Sequence, residues 1–226
     1  MQTGFKYIDR NKKRTMVLVP GWATDHRIFD FLDIDFNYLL PTLCYPRDFE
    51  TELLNALREY KLEKVSILGF SMGGFVSAKF AARHAGLIET LIFVGIRRRF
   101  RTDKIEEIRG LLLKNKRAFL YKFYLECFAG KESLMLFKRT FLKSYCEEME
   151  IDHLLMTLDY LKSAEIEPET LLGIKSIKII HGEEDKIAPL NEANWIRERL
   201  PKAEFIALKG EGHIPFLNKE FSKSIW

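Results

Sequence analysis

A serine flanked by glycines lies where the sequence changes from a strand pattern to a helix pattern. The apolar run at 65–68 leads into Gly69-Phe-Ser71-Met-Gly73, and a helix-like stretch follows directly. A turn this sharp strains the backbone of Ser71, so the residues two places before and after it must lack bulk. The strain presents the hydroxyl at a helix N-terminus, where backbone N–H groups favour negative charge. The pattern predicts that Ser71 is a nucleophile; a glycine-serine loop joining any strand to any helix is the alternative.

An activated serine needs a nearby base, and the chain offers five histidines. His213 follows the last predicted strand in the stretch Lys-Gly-Glu-Gly-His213-Ile-Pro, whose glycines allow the loop to aim the imidazole at Ser71. We therefore choose His213 as the base. Of the other histidines, His181 ends a predicted strand and His84 ends the helix after the serine. His26 follows the first long strand, and His153 lies in the middle of the chain.

A base of this kind is oriented by a carboxylate. Asp185 stands in a turn just past a predicted strand, in Ile-His-Gly-Glu-Glu-Asp185-Lys, and it precedes His213 in the chain. Glu183 and Glu184 compete for the same role, and a merely solvated turn is a further possibility. The order nucleophile, acid, base is the order found in the α/β-hydrolase fold.

Acyl transfer also needs two N–H donors that stabilise the oxyanion of the tetrahedral intermediate. The backbone N–H of Met72, directly after the nucleophile, is the first candidate. We expect the second in the loop after the strand at 16–19, where Gly21 lets the backbone turn sharply and Trp22 supplies the N–H. The Trp22 indole would then form a wall of the substrate pocket.

Short apolar runs alternate with helical patterns in the parts of the chain that carry these residues. Nearly continuous apolar runs are typical of parallel strands that are buried on both faces. The strand candidates are residues 16–19, 65–68, 91–94, 177–180 and 205–208, with weaker ones at 5–8 and 37–40. Helical patterns occupy 51–61, 73–84 and 191–200. The alternation predicts an α/β fold with a mostly parallel sheet flanked by helices.

The alternation stops after residue 95 and resumes near residue 177, and the segment between them reads as helical throughout. We interpret residues 97–174 as an all-helical lid inserted between core strands, with 1–96 and 175–226 as the α/β-hydrolase core. Three apolar stripes run along the lid at helical spacing: Phe119, Phe123 and Cys127; Phe137, Phe141 and Tyr145; Leu154, Leu158 and Leu161. The spacing favours a packing role for these stripes. Phe119 and Phe123, together with Trp22, are nevertheless our candidates for substrate contact.

Positive charge is concentrated in the first part of this insertion. Residues 97–131 carry eleven basic and four acidic side chains, whereas the whole chain has a net charge of +4. The basic segment is either a solvated helix face or a docking surface for an acidic partner. Nucleic-acid binding has only the net charge in its favour, because no aromatic-basic motif accompanies it. The candidate docking residues are Arg97, Arg98, Arg99 and Arg101.

Composition argues against several other classes of protein. No segment approaches the roughly 20 apolar residues that span a bilayer, and residues 1–14 contain no apolar core of a signal peptide. We therefore expect a cytoplasmic protein that does not span a membrane. The three cysteines are irregularly spaced, which suits buried reduced thiols and not a disulfide frame or a zinc site. The predicted chemistry needs neither a metal nor a cofactor.

Two stretches carry a family resemblance: G-W-x-x-D-x-R-x-F at 21–29 and G-F-S-M-G-G at 69–74. The chain resembles lidded serine α/β-hydrolases over nearly its whole length. Through these two stretches it resembles the pimeloyl-acyl-carrier-protein methyl ester esterases of biotin synthesis. The resemblance implies a carboxylesterase whose acyl ester substrate is carried on an acidic acyl carrier protein. Carried over, the functional residues are Ser71, Asp185 and His213, with the oxyanion donors Trp22 and Met72.

Two departures from the family pattern affect the pocket. Pro20-Gly21 replaces the usual His-Gly before the oxyanion loop, so the loop must be supported differently. The usual Asp-x-x-Gly-x-Gly-x-Ser stretch after the next strand is replaced by a shorter connection at 40–48. The substrate is therefore left open. A small free ester, thioester or lactone, a carbon–carbon bond hydrolase or lyase reaction, and a non-catalytic binding protein that keeps the fold are the alternatives.

Overall fold

A seven-stranded sheet forms the centre of the described part of the protein. The structure, a computed structural model, describes residues 4–218 and 221–222. The five apolar runs and the two weaker candidates all form strands, several of them longer than predicted. The strands are β1 (Phe5–Ile8), β2 (Thr15–Val19), β3 (Asn37–Pro41), β4 (Val65–Phe70), β5 (Ile88–Val94), β6 (Ile177–Gly182) and β7 (Glu204–Leu208).

The strand order β1-β3-β2-β4-β5-β6-β7 brings the chemically important loops to one edge of the sheet. Every neighbouring pair is parallel except β1 with β3. All residues of β2 and β4 are buried, and apart from Thr15 and Ser66 they are apolar or glycine. Because the strands are parallel, the loops after β2, β4, β5 and β6 meet at their shared carboxyl edge. The predicted mostly parallel sheet is confirmed.

Eight helices accompany the sheet in the described residues. They are α1 (Phe49–Glu59), α2 (Met72–Arg83), α3 (Thr102–Lys114), α4 (Lys116–Glu126), α5 (Lys131–Thr140), α6 (Leu142–Glu148), α7 (Ile151–Ser163) and α8 (Leu190–Arg199). Helices α1, α2 and α8 occupy the positions predicted between strands. Helices α3 to α7 all lie between β5 and β6, where the sequence predicts an all-helical insertion.

The insertion differs from the prediction at one apolar stripe. Helix α5 ends at Thr140 and α6 begins at Leu142, so the stripe of Phe137, Phe141 and Tyr145 crosses two helices. Phe141, with a φ of −118°, bends the chain between the helices and still contacts both other rings. The stripes mainly pack, as expected. The division into core residues 1–96 and 175–226 and lid residues 97–174 stays a prediction.

The structure also bears on the predictions made from composition. Cys44, Cys127 and Cys146 are free and buried, and burial raises the pKa of the Cys44 thiol to about 12. Within residues 4–218 and 221–222, no group of three or more His, Cys, Asp or Glu side chains is arranged to hold a metal ion. None of the helices described is both long and apolar enough to cross a membrane. The cytoplasmic location stays a prediction.

Candidate active site

Ser71 lies between β4 and α2 in a backbone conformation that few L-residues adopt. Its φ is 50° and its ψ is −115°, and its N–H donates to the carbonyl of Val94 at 2.9 Å. A positive φ crowds Cβ against the backbone, so the surrounding structure must hold this conformation. The residue is only 8% exposed. The strain expected from the sequence is therefore present at Ser71.

Glycines beside Ser71 allow the turn to pack against neighbouring backbone. A Cβ on Gly69 would lie 2.7 Å from the carbonyl oxygen of Gly73. A Cβ on Gly73 would lie 2.3 Å from the carbonyl oxygen of Val19, the last residue of β2. The start of α2 therefore lies directly against the end of β2, where the loop with Trp22 begins.

Three side chains from distant parts of the chain form one hydrogen-bonded row. His213 Nε2 lies 2.9 Å from Ser71 Oγ, and His213 Nδ1 lies 2.7 Å from Asp185 Oδ2. All three residues are buried. With a proton on Nδ1, the imidazole donates to the carboxylate and leaves Nε2 to accept from the serine hydroxyl. In this arrangement His213 can take the proton of Ser71 while Asp185 stabilises the resulting imidazolium.

The second carboxylate oxygen of Asp185 is held by the backbone. Oδ1 accepts from the N–H groups of Ile187 and Ala188, each at 2.8 Å. Burial alone would raise the pKa of Asp185. The charge and hydrogen bond of His213, with smaller contributions from His181 and the Ala188 N–H, lower this pKa by more, to below its usual value. Asp185 is therefore ionised at neutral pH and presents a fixed oxygen to the imidazole.

The loop that carries His213 is held from two sides. The N–H of His213 donates to the carbonyl of Cys127 at 2.7 Å, directly after α4. Gly95 follows β5 with a φ of 60°, and a Cβ on it would lie 3.0 Å from His213 Nδ1. Both the insertion and the sheet therefore fix the position of the imidazole.

The competing sequence candidates for base and acid have other bonding partners, although His181 lies beside Asp185, with Nε2 3.5 Å from Oδ2. His181 is fully buried and bonded through Nε2 to the carbonyl of Ala188 at 2.6 Å, and burial lowers its pKa, so it stays neutral. His84 pairs with Glu50 at 2.9 Å, at the far end of α2. His26 is bonded to the carbonyl of Thr42, and His153 lies beside Tyr45. Glu183 and Glu184 are exposed.

The two predicted oxyanion donors flank the serine. Met72 begins α2, and Trp22 lies in the loop after β2. A Cβ on Gly21 would lie 3.1 Å from Ser71 Cβ, so this loop lies against Ser71. Among the described residues, neither the Trp22 N–H nor the Met72 N–H donates a hydrogen bond to another protein group. Both are available to an anionic oxygen, and their role as donors stays a prediction.

A cavity of about 500 Å³ opens beside Ser71. Its walls include Trp22, Phe119 and Phe123, the three residues predicted to contact substrate, and further residues of α3. The Trp22 ring meets the other two rings edge-on, with centroids 5.2 Å from Phe123 and 6.2 Å from Phe119. The insertion therefore covers the serine with an apolar wall of a kind that suits an acyl chain.

The four arginines predicted to bind a partner have different surroundings. Arg97 lies in the wall of the cavity beside the serine, and most of its side chain is buried. Arg98 is half-buried and paired with Glu165 at 2.7 Å. Arg99 and Arg101 keep 62% and 76% of their side chains exposed. Only the last two present most of their side chain to solvent, and their role in docking stays a prediction.

Sequence reasoning missed the contacts that hold the loop after β2. Asp25 and Arg27 belong to a recognised motif without an assigned role, and in the structure Arg27 binds Asp25 through Nε and Nη2. Tyr145 of α6 donates to Asp25 at 3.1 Å, and Tyr124 of α4 donates to the carbonyl of Ala23. The positions of Asp25 and Arg27, two residues apart in the sequence, are a signal for their ion pair. No pattern in the sequence connects the two tyrosines to this loop.

Comparison with known proteins agrees with the fold. A family model described as alpha/beta hydrolase fold matches residues 41–220. A pimeloyl-[acyl-carrier protein] methyl ester esterase of Nitrosomonas europaea is 23% identical over 228 residues, which cover 90% of this chain and 90% of that protein. An esterase structure from Exiguobacterium antarcticum has a TM-score of 0.80 at 18% identity, covering 92% of this chain and 87% of its own. A bromoperoxidase structure from Bacillus anthracis has a TM-score of 0.82 at 19% identity, covering 98% of this chain and 92% of its own.

Proposed function

The chain belongs to the alpha/beta hydrolase fold family, and from this premise we propose that it is a serine carboxylesterase. The observation that carries the proposal is the row from Ser71 Oγ through His213 to Asp185, with separations of 2.9 and 2.7 Å. A strained serine at the start of a helix, with a base in hydrogen-bonding distance, is what acyl transfer requires of its nucleophile. Similarity to a relative named as an esterase supports the same reaction class.

In the first half of the reaction, Ser71 Oγ attacks the acyl carbonyl carbon while His213 Nε2 takes the hydroxyl proton. The carbonyl oxygen becomes an oxyanion that accepts hydrogen bonds from the N–H groups of Trp22 and Met72. Asp185 stabilises the imidazolium. Collapse of the tetrahedral intermediate breaks the bond to the alcohol, which leaves with the proton from the imidazole, and the acyl group stays on the serine.

In the second half, water hydrolyses the acyl-enzyme. His213 takes a proton from the water as it attacks the acyl carbonyl carbon, and the same two N–H groups stabilise the new oxyanion. Collapse of this intermediate releases the carboxylic acid and returns the proton to Ser71 Oγ. The apolar wall of Trp22, Phe119 and Phe123 holds the acyl chain beside the serine during both halves.

Replacing the nucleophile tests the reaction class. We expect Ser71→Ala to lower kcat/KM for p-nitrophenyl butyrate by about 10⁴-fold or more, with the fold unchanged. Ser163→Ala is the matched control, because Ser163 is an exposed serine at the end of α7, and it should keep full activity. A fluorophosphonate should label the unsubstituted protein and leave Ser71→Ala unlabelled. Unchanged hydrolysis by Ser71→Ala would refute the assignment.

Within this reaction class, we propose that the substrate is an acyl ester on an acyl carrier protein, such as the pimeloyl methyl ester. The Nitrosomonas europaea relative is named for that substrate. Arg99 and Arg101 leave positive charge exposed just before α3, a helix that lines the cavity. An acidic carrier would be attracted to such a surface.

A panel of substrates separates this proposal from its alternatives. It contains carrier-bound acyl esters, free small esters, thioesters, lactones and substrates with a scissile carbon–carbon bond. The highest kcat/KM on carrier-bound ester, with complementation of a strain lacking the biotin-pathway esterase, would support the carrier. If kcat/KM is highest on one of the free substrates, the reaction of that substrate class is favoured instead. No turnover of any substrate, with no fluorophosphonate label, would favour a non-catalytic binding protein.

A further inference from the structure

A strained turn follows β2 and lies against the nucleophile. The N–H of Thr24 donates to the carbonyl of Gly21 at 3.3 Å, and the Thr24 hydroxyl donates to the same oxygen at 3.0 Å. Ala23, the third residue of the turn, has a φ of 59°, whereas Trp22, the second, has no positive φ. This is the pattern of a type II turn, whose third position favours glycine because a side chain is strained there.

The turn sets the direction of the N–H that is expected to bind the oxyanion. The carbonyl of Gly21 and the N–H of Trp22 belong to one planar trans peptide unit, so they point in opposite directions. Thr24 holds the carbonyl on one side and thereby aims the N–H to the other. If Ala23 relaxed out of its positive φ, the turn would open and the donor would move away from the oxyanion.

Helices of the insertion bind this turn directly. Tyr124 of α4 donates its hydroxyl hydrogen to the carbonyl of Ala23, and its side chain is fully buried. The indole N–H of Trp22 donates to the carbonyl of Leu154 in α7 at 3.1 Å. Two consecutive residues of the turn are therefore bonded to two different helices of the insertion.

Asp25, the residue directly after the turn, is also bonded to the insertion. Tyr145 of α6 donates to Asp25 Oδ1 at 3.1 Å, and Arg27 joins Asp25 to Glu148 of α6, with Nη1 at 2.9 Å from Glu148. Burial raises the pKa of both Tyr124 and Tyr145 well above the usual value. Both hydroxyls therefore stay protonated and remain donors.

From these contacts we propose that Tyr124 is a positioning residue for oxyanion stabilisation. Its hydroxyl holds the carbonyl of the strained residue Ala23 and keeps the turn in the conformation that aims the Trp22 N–H at the space beside Ser71. The insertion then does more than cover the pocket, because it supplies the support on which the donor depends. This inference rests on the proposed serine esterase function.

Tyr124→Phe separates this role from simple packing. The substitution keeps the ring contacts with Phe137 and Tyr145 and removes only the bond to Ala23. A packing role predicts a less stable protein in which each folded molecule reacts at the normal rate. A positioning role predicts a slower chemical step and weaker binding of analogues of the tetrahedral intermediate, with substrate binding little changed.

The experiment measures kcat and KM for p-nitrophenyl butyrate and the affinity for phenylboronic acid, whose adduct with Ser71 Oγ is tetrahedral and negatively charged. We expect Tyr124→Phe to lower kcat and boronic acid affinity about tenfold each, with KM within about twofold. Tyr160→Phe is the matched control in the insertion, since Tyr160 packs on the core and its hydroxyl has no partner among the described residues. It should leave all three values unchanged.

A second substitution tests the link to the strained residue. Glycine adopts a positive φ without strain, so Ala23→Gly should keep the turn formed without the tyrosine hydroxyl. In the Ala23→Gly background, Tyr124→Phe should therefore lower kcat by less than about threefold.

Three results would overturn the inference: unchanged kcat and boronic acid affinity in Tyr124→Phe, an equal loss in Tyr160→Phe, or an undiminished loss in the Ala23→Gly background. Failure of the proposed function itself is seen separately. In that case boronic acid would not bind the unsubstituted protein, or Ser71→Ala would hydrolyse the ester normally, and the inference would fall with the function.

Discussion

The carboxylate of Asp185 is asymmetric, because the backbone fixes one oxygen and the other faces the imidazole. Oδ1 accepts from the N–H groups of Ile187 and Ala188, and Oδ2 lies 2.7 Å from His213 Nδ1. An amide at this position would place its carbonyl oxygen against the two N–H donors. Its NH₂ group would then donate to His213 Nδ1, and the ring proton would move to Nε2, the atom that must accept from Ser71.

We therefore predict that Asp185→Asn lowers kcat by about 10⁴-fold with the fold intact, as expected when the imidazole is held in the wrong tautomer. The measurement is kcat for p-nitrophenyl butyrate, with circular dichroism of each variant. Glu184→Gln removes an exposed carboxylate from the same turn and is the control, with an expected change below about twofold. Similar losses in both variants would contradict the role of Asp185.

The pKa of Asp185 also makes a prediction about stability. Burial raises this pKa, but the charge and hydrogen bond of His213 lower it by more, so the folded-state value lies below the value of about 3.9 in an unfolded chain. A lowered pKa stabilises the fold above about pH 4, and this contribution is lost as pH falls through the folded-state pKa.

We predict that the difference in free energy of unfolding between the unsubstituted protein and Asp185→Asn shrinks as pH falls from about 6 to about 3. Urea titrations at a series of pH values measure it. A difference that stays constant over this range would contradict a lowered pKa at Asp185.

Local sequence patterns made some of these residues predictable and not others. Ser71, Asp185 and His213 each follow a strand, in loops whose glycines and acidic residues are visible in the sequence itself. Tyr124 lies inside a helix, and its partner Ala23 is 101 residues away in sequence. A contact of that kind depends on how the insertion packs on the core, which side-chain periodicity does not specify.

At the scale of elements, the site depends on how closely α2 approaches the end of β2. Gly73 makes this approach possible, since a Cβ on it would lie 2.3 Å from the carbonyl oxygen of Val19. That oxygen belongs to a central strand and cannot move without disturbing the sheet. Any side chain at this position must push the turn that carries Ser71 away from the loop with Trp22.

We predict that Gly73→Ala lowers the free energy of unfolding by about 3 kcal/mol. Gly110→Ala is the control in the opposite direction. Gly110 lies in α3 with open space around its Cα, so alanine should raise the free energy of unfolding by about 0.5–1 kcal/mol. Urea denaturation of both variants measures the effects, and a Gly73→Ala protein as stable as the parent would contradict the close approach.

The elements themselves were largely predictable, whereas their arrangement was not. Nearly continuous apolar runs identified the central strands β2 and β4, because a strand buried on both faces has few polar positions, whereas the partly exposed β1 was only a weaker candidate. The apolar runs do not show which strands lie next to each other in the sheet, so the antiparallel pairing of β1 with β3 could not be foreseen. The break between α5 and α6 was missed because the apolar spacing continues through Phe141 without interruption.

At the scale of the whole molecule, exposed positive charge lies near the start of the insertion. Arg99 lies 3.9 Å from Glu165 and Arg101 lies 2.7 Å from Asp103, yet both arginines keep most of their side chains in solvent. Exposed pairs of this kind contribute little free energy. The arginines therefore remain available to an acidic partner, whereas Arg97, within the cavity wall, is not.

We predict that combining Arg99→Glu and Arg101→Glu lowers kcat/KM for carrier-bound ester at least about tenfold more than for p-nitrophenyl butyrate, and that added salt reduces the difference. Lys64→Glu is the control for a charge reversal far from the cavity, because Lys64 precedes β4 and lies at the opposite edge of the sheet. Equal losses on both substrates would remove the docking proposal.

Strands β5 and β6 are neighbours in the sheet, although the entire helical insertion separates them along the chain. During synthesis β5 leaves the ribosome first, and its edge stays unpaired until the insertion and β6 have emerged. An unpaired, apolar strand edge readily joins edges of other chains. The nascent protein is therefore most prone to aggregation at this stage, and it gains most from a chaperone before Asp185 and His213 have been translated.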